Sequence, residues 1–273
     1  RNEALGQTFA VSVVIPCFNH GEFVAGAVGS VTAMKRDDVE LIVVDDGSTD
    51  SKTRSEMERL AAQGVRVIRQ ANRGLAGARN AGIAASTGKY ILPLDADNRL
   101  RAAYVEKGSR ILDENPKVGV VYGDAEYIGE RSGRWRLGEF DANQLLQWNS
   151  FDACAIYRRC IWEQNGGYDS TMPVQGLEDW DFWLGALEHG WEIKYVPEIL
   201  FEYRVAADSM LTRANPHNGR VEEFVAKKHA LLYRKAWMEL AHEHRSVMRT
   251  AGNLGRLMQL RIKTIFGNGR SVS

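Results

Sequence analysis

The sequence predicts an α/β protein: a mostly parallel central sheet with helices on both faces, a mixed second half and a helical C-terminal extension. Three observations carry that expectation. Between Val11 and Val120, short apolar runs alternate with longer amphipathic stretches, the pattern of strand-helix-strand units. After Gly123 the pattern becomes that of an antiparallel hairpin. From Pro216 onward, apolar residues recur at helical spacing among basic ones.

Taken in order, four strands are expected at Val11–Cys17, Glu40–Asp45, Val65–Arg69 and Tyr90–Leu94. The intervening helices are expected near Glu22–Met34, Ser51–Gln63 and Leu75–Ser86, with Gly88 as a stop signal before the fourth strand. A helix near Ala102–Glu114 leads to a fifth strand, Gly119–Tyr122. Ala125–Ile128 and Arg134–Phe140 flank Gly129-Glu130-Arg131-Ser132-Gly133 and read as a hairpin. Residues 152–157, 192–196 and 199–204 read as further strands, with a helix from about Asp179 to His189. Val247, Ala251, Leu254, Met258, Ile262 and Ile265 share one face of a C-terminal helix.

The 273 residues, 44% of them hydrophobic, suffice to bury a sizeable core. Lys+Arg and Asp+Glu balance at 35 each, so no global field calls for a nucleic-acid partner. The charge is unevenly spread: residues 222–273 carry 10 basic and 4 acidic residues, a net +6, against −6 for residues 1–221. Cys17, Cys154 and Cys160 are an odd set without metal-ligand spacing, which predicts neither a disulfide framework nor a zinc site and fits a reducing cytosol. No apolar run approaches the roughly 18 residues that cross a bilayer. The chain begins at Arg1 rather than Met, as expected of a processed chain or a piece of a longer one.

In an open parallel sheet, ligands bind beyond the carboxyl ends of the strands. The first four strands deliver Pro16-Cys17-Phe18-Asn19, Asp45-Asp46-Gly47-Ser48, Asn72-Arg73-Gly74 and Asp95-Ala96-Asp97-Asn98 to that rim. Each cluster alone is also a good turn sequence whose carboxylates cap backbone amides. Together they gather hard oxygen ligands suited to Mg²⁺ or Mn²⁺, ions that keep open positions for phosphate oxygens. No G-x-x-x-x-G-K-[ST] loop is present, and no G-x-G-x-x-G follows the first strand, so a Gly-rich turn does not cradle phosphate.

With these residues in view, the chain resembles the family 2 glycosyltransferases of the GT-A, Rossmann-like fold. The resemblance rests on Val11-Ser-Val-Val-Ile-Pro-Cys-Phe-Asn19, Glu40-Leu-Ile-Val-Val-Asp-Asp-Gly-Ser-Thr-Asp50 and Asn72-Arg-Gly-Leu-Ala-Gly-Ala-Arg-Asn80 with Gly82. It continues in Gly88-Lys-Tyr-Ile-Leu-Pro-Leu-Asp-Ala-Asp97, Gly166-Gly-Tyr-Asp169 and Gly176-Leu-Glu-Asp-Trp-Asp181, in family order across about residues 10–205. It implies a glycosyltransferase domain over 1–215, with a donor half at 10–123 and an acceptor half at 124–215, and a basic helical extension at 216–273.

By the same resemblance, Pro16 and Phe18 line the nucleoside pocket and Asp46 accepts a hydrogen bond from the base, typically the N3–H of uracil. Arg79 lies near the nucleotide. Asp95 and Asp97 look like the family's DXD pair, holding Mn²⁺ or Mg²⁺ against the diphosphate of a nucleotide-sugar donor, a UDP-sugar first. Asp179 matches the catalytic base, with Glu178 and Trp180 supporting it. Such a base takes the proton of an acceptor hydroxyl as its oxygen attacks the anomeric carbon, with inversion. Asn98 stands where many relatives carry a further Asp, and Val205-Ala206-Ala207 where many carry a histidine.

Two other classes share parts of this pattern. A nucleotidyltransferase or pyrophosphorylase has a related sheet and a metal-binding Asp, but a Gly-rich basic loop after its first strand, unlike Cys17–Phe23. A non-catalytic nucleotide-sugar binder is the other. Trp180 is the tryptophan most expected to stack on a sugar ring, and Glu178-Asp179-Trp180-Asp181 also suits a plain helix N-terminus. The basic stretch 216–273 suits an anionic membrane surface, where lipid-linked acceptors are found, and equally a solvated face or a subunit contact. The expected location is cytoplasmic, with peripheral contact at the inner face of the membrane, and the acceptor a saccharide or a lipid-linked sugar.

Overall fold

The structure, a computed structural model, describes residues 9–206, 218–242 and 245. The elements run β1 (Val11–Cys17), α1 (Val24–Thr32), β2 (Val39–Asp45), α2 (Ser51–Ala62), β3 (Arg66–Arg69), α3 (Gly74–Ala85) and β4 (Tyr90–Pro93). Then come β5 (Arg99–Leu100), α4 (Ala102–Glu114), β6 (Val118–Gly129), β7 (Gly133–Trp135), α5 (Ala142–Leu145), β8 (Ile156–Arg158) and α6 (Arg159–Asn165). The last are α7 (Glu178–Glu188), β9 (Glu192–Val205) and α8 (Asn218–Lys228).

One sheet holds the strands in the order β3-β2-β1-β4-β8-β6-β9-β5, with β7 paired to β6. Strand β1 lies parallel to β2 and β4, and β2 parallel to β3, as expected of strand-helix-strand units. All seven residues of β1 are buried, which explains its near-continuous apolar run. Its alternate side chains serve two layers: Val11, Val13 and Ile15 join a core with Val24 and Val28 of α1, Met57 of α2 and Tyr104 of α4. On the opposite face Val14 lies under α3, so close that a Cβ on Gly82 would sit 2.4 Å from it.

Strand β8 runs antiparallel to both of its neighbours, β4 and β6. The expected hairpin forms between β6 and β7, pairing Tyr127 with Gly133. Several expected strands come out differently. The fifth strand and the first arm of the hairpin are one strand, β6, with register shifts about Asp124, while 192–196 and 199–204 fuse into β9. Residues 152–155 are not strand, because the Asp152 carboxylate accepts from the Cys154 N–H two residues on and holds a local turn. Gly88 is needed for close approach rather than to stop a helix: a Cβ there would meet Ser12 Oγ at 2.4 Å, an oxygen that already accepts from the Gly88 N–H.

The chain divides into two compact units, after His229. Sequence drew its boundary after residue 215; in the structure α8 belongs to the first unit, with Val221 and Val225 fully buried. The helical assignment continues through residues 230–242, and the face expected on Val247 to Ile265 lies outside the described residues. No helix among the described residues is long and apolar enough to cross a membrane.

Gly82→Ala forces α3 off the sheet and is expected to cost about 1–3 kcal/mol of stability, as overpacking of a tight core does. Urea denaturation checks it, with a lowered midpoint expected.

Candidate active site

The carboxyl ends of β1, β2 and β4 form one rim, stitched by side chain to backbone bonds. Asn19 takes a left-handed conformation (φ 56°), and its side-chain carbonyl accepts from the Thr49 and Asp50 N–H groups, tying the loop after β1 to the loop after β2. Asp46 is buried there, and its Oδ1 accepts from Gln70 Nε2 (2.7 Å) and the Arg73 N–H (2.9 Å). Oδ2 has no hydrogen bond among the described residues. Phe18 stands 44% exposed at this end, whereas Pro16 is buried within β1 opposite Val44.

Beneath the rim lies Arg79, on the buried face of α3. Its Nη2 donates to Asp95 Oδ1 and its Nη1 to Glu178 Oε1, both at 2.8 Å. Burial pulls the guanidinium's pKa down, but these two carboxylates hold it above the ordinary arginine value. Glu178 is tied again at its other oxygen by the Gly176 N–H, 2.8 Å away. Both terminal nitrogens of the guanidinium are thus taken by protein carboxylates, while Nε has no hydrogen-bond partner among the described residues, so Arg79, expected near the nucleotide, is a strut that braces Asp95 and Glu178.

Four carboxylates crowd above that strut. Asp179 is buried at the start of α7; its Oδ2 accepts from Asn149 Nδ2 at 2.9 Å and its Oδ1 from the Trp180 N–H at 3.0 Å. Burial, and then repulsion from Glu178, push its carboxyl up to about 7 despite the opposing pull of Arg79. Asp97 is also pushed up, first by burial and then by Asp95, while His20 and Arg204 pull it down. Asp152 rises to about 8 through burial and repulsion from Asp95, to which Asp179 adds. The phenol of Tyr203 is raised by burial and then by the charges of Asp152, Asp95, Asp97 and Asp179. Arg204 closes the side: its backbone N–H bonds Asn98 Oδ1 (2.9 Å), its Nε bonds the Asp97 carbonyl (3.2 Å), and its guanidinium lies 4.6 Å from the Phe23 ring centroid.

The fold links Asp95 to Glu178 through Arg79, sets Asp179 beside Glu178, and adds Asn149, Asp152 and Tyr203 to the region. Asp152 reaches the rim because β8 is antiparallel to β4: Tyr157 pairs with Ile91, so the residues preceding β8 emerge at the carboxyl end of β4. Only the acid itself, between a polar Asn149-Ser150 and an apolar run, could have signalled it. Trp180 does not offer a ring to a sugar. It is 3% exposed, and its Nε1 donates to the Leu145 carbonyl at 2.6 Å, so it pins α5 against α7.

Among the described residues no group of three or more His, Cys, Asp and Glu has metal-holding geometry. A divalent ion of the Mg²⁺ type needs no such cage, since one or two carboxylates and substrate phosphates complete its shell. Asp95 and Asp97 fit that role: the mutual repulsion that raises Asp97 is what a cation between them relieves.

Arg79→Met leaves Glu178 buried without a counter-charge and is expected to destabilise the fold by about 3–5 kcal/mol, as breaking a buried ion pair does. Arg79→Met with Glu178→Gln is expected to recover part of that loss. Denaturant titration of the three proteins checks both.

The sequence profile of Glycosyl transferase family 2 matches residues 12–172, more than half of the chain. An uncharacterized glycosyltransferase of Nostoc is 34% identical over 146 residues, 50% of this chain and 45% of that protein. A PGL/p-HBAD biosynthesis glycosyltransferase of Mycobacterium tuberculosis is 31% identical over 175 residues, 63% of this chain and 67% of that one. The match thus spans about half the length of the Nostoc relative. Among solved structures, S. aureus TarS 1–349 in complex with UDP-GlcNAc superposes with a TM-score of 0.62 at 18% identity, covering 75% of this chain and 61% of that one. The mannosyltransferase PcManGT from Pyrobaculum calidifontis, in complex with GDP-Man and Mn²⁺, gives 0.57 at 20%, covering 76% and 60%. At these identities the likeness is one of fold, the GT-A fold. Profile, fold and the acidic rim agree, and the chain belongs to glycosyltransferase family 2.

Proposed function

We propose that the chain is an inverting glycosyltransferase that moves a sugar from a nucleotide-diphosphate-sugar to an acceptor hydroxyl, with Asp179 as the base. The observation that carries this reading is a buried carboxyl at about 7, held by Asn149 and next in sequence to Glu178, which Arg79 ties to Asp95. A base poised near working pH combines enough ionised form with enough proton affinity. Asp179 accepts the acceptor's proton as that oxygen attacks the anomeric carbon, and the diphosphate departs from the opposite face. Asp95 and Asp97 are the residues to hold Mn²⁺ or Mg²⁺, which would neutralise charge on the leaving diphosphate. Arg79 keeps Asp95 and Glu178 in place, while Tyr203 and Asp152 offer a donor and an acceptor to sugar hydroxyls.

A UDP-sugar is favoured by Asp46. With Oδ1 committed to Gln70 and Arg73, its remaining oxygen matches the single N3–H of uracil better than the adjacent N1–H and N2–H of guanine. Phe18 is exposed where a nucleobase can stack on it. The acceptor is a saccharide or a lipid-linked sugar. The lipid-linked case draws on the helical residues 230–242, where Leu231, Trp237, Met238 and Leu240 are exposed among Arg234 and Lys235, a composition suited to an anionic membrane surface.

Nucleotide release from UDP-, GDP- and dTDP-sugars, with and without Mn²⁺ or Mg²⁺, tests the reaction. Turnover is expected to need the metal, and Asp179→Asn to lower kcat by about 10²–10⁴-fold, the usual contribution of a general base. Activity falls as pH drops through about 7, because protonation removes the base. Turnover that survives both Asp179→Asn and Asp97→Ala sinks the assignment; metal-dependent binding without turnover, whatever the acceptor, favours a binder.

Sedimentation with vesicles rich in anionic lipid tests the membrane contact. The chain is expected to pellet at low salt and be released at high salt, and failure to pellet at low salt rejects it.

A further inference from the structure

Lys228, the last residue of α8, and His229, which follows it, reach back to the helix carrying Asp179. Lys228 Nζ donates to Asp169 Oδ2 at 2.7 Å and to Asp181 Oδ2 at 2.8 Å. His229 places Nε2 3.0 Å from Asp181 Oδ1, and Nδ1 2.8 Å from Glu188 Oε2 at an angle too bent for a hydrogen bond. Asp181 and His229 are 4% and 3% exposed, while Lys228 is 37% exposed, so the cluster runs from the interior to the surface. Burial pulls both cations toward neutrality, yet the acids win: Asp169 and Asp181 raise Lys228, and Asp181 and Glu188 raise His229.

What Lys228 joins gives the cluster its meaning. Asp169 and Asp181 lie at the two ends of one segment, and that segment contains Gly176, Leu177, Glu178 and Asp179. Inside it, Glu178 is fixed from below by Arg79 and by its own bond to Gly176. From above, one ammonium closes the loop, shortening the span over which it can wander. Asp181 sits two residues beyond Asp179 in the first turn of α7, so a displaced Asp181 carries Asp179 with it.

We infer that Lys228 and His229 are positioning residues for sugar transfer, a latch from α8 that holds the 169–181 segment so that Asp179 meets the acceptor hydroxyl. The inference rests on the reading of Asp179 as the base. Neither cation touches a substrate in this role; both act through Asp181. A base displaced by even 1 Å loses on the order of 10²-fold in rate while the donor, held elsewhere on the rim, binds as before.

The test compares Lys228→Met, Lys228→Arg, His229→Gln and Asp169→Asn with wild type and Asp179→Asn, in the full chain and well below each melting temperature. Lys228→Met and His229→Gln are expected to lower kcat by on the order of 10- to 100-fold with donor KM within about threefold, the signature of a misplaced catalytic group. Lys228→Arg restores most of kcat, and hydrogen exchange speeds up in 169–181 but not in β1. Asp169→Asn cuts only the loop end of the latch, at a partly exposed carboxylate, and reads the effect if the buried variants do not fold; a smaller loss of kcat is expected. Wild-type kcat in Asp169→Asn and in every folded Lys228 and His229 variant, with Asp179→Asn inactive, overturns the latch alone. A kcat loss that only tracks the unfolded fraction, unrescued by arginine, also overturns it. Full turnover in Asp179→Asn overturns the base reading first.

Discussion

The site depends on a single desolvated guanidinium. Arg79 ties the end of β4 to the start of α7, through Asp95 and through Glu178, 99 residues further along the chain. A charge so deeply buried is tolerable only where paired acids offset its lost hydration, so the fold is stable only when both elements arrive. The planar fork of arginine suits this bridge, because two nitrogens at fixed separation hold two carboxylates at fixed separation. Asp95 is partly exposed and keeps its second oxygen toward the rim, while Glu178 is fully spent on protein donors. One strut thereby fixes the distance between the acidic loop that follows β4 and the acid that follows Glu178.

Crowding of acids above the strut works against stability and for chemistry. Asp97, Asp152 and Asp179 are all shifted upward by burial and by one another or their neighbours. A buried acid with a raised pKa weakens the fold as pH climbs from its ordinary range to its shifted one, since ionisation is easier in the unfolded chain. Such a cluster is therefore a poor structural device and a good place to receive a cation, a diphosphate and a proton. The helix N-terminus at Asp179 tempers the cost, as its dipole favours the ionised form, but burial and Glu178 dominate.

Much of this was legible in the sequence, for physical reasons. Parallel strands buried on both faces appear as apolar runs, as in β1, and the loops after them carry the polar residues that a rim must hold. Asp95 and Asp97 could be named because they follow a strand that the pattern exposes, and Asp179 because Gly176-Leu-Glu-Asp-Trp-Asp181 resembles a family motif. The role of Arg79 could not, because the sequence does not tell whether the cation on a helix buried along one face points to ligand or to protein. Trp180 was opaque for a related reason: Glu178 to Ala186 are all buried, so α7 has no polar face from which to read orientation. Nor could the place of α8 in the first unit be read, since Lys228 and His229 meet Asp181 across 47 and 48 residues.

Asp152 shows why the second half of the sheet is mixed. A parallel strand in the place of β8 would enter from the amino end of β4, and the loop before it would open on the far side of the molecule from Asp95. Because β8 runs the other way, its leading loop delivers Asn149 and Asp152 to the rim that β1, β2 and β4 already built. The same reversal sends the chain from β8 directly into α6 and so toward α7, whose first turn must return to Arg79. One antiparallel strand therefore brings Asn149 and Asp152 to the acidic cluster, while the parallel half of the sheet keeps its own hydrogen bonding intact. Variation in the loop before β8 can change what meets Asp179 without touching the strut beneath it.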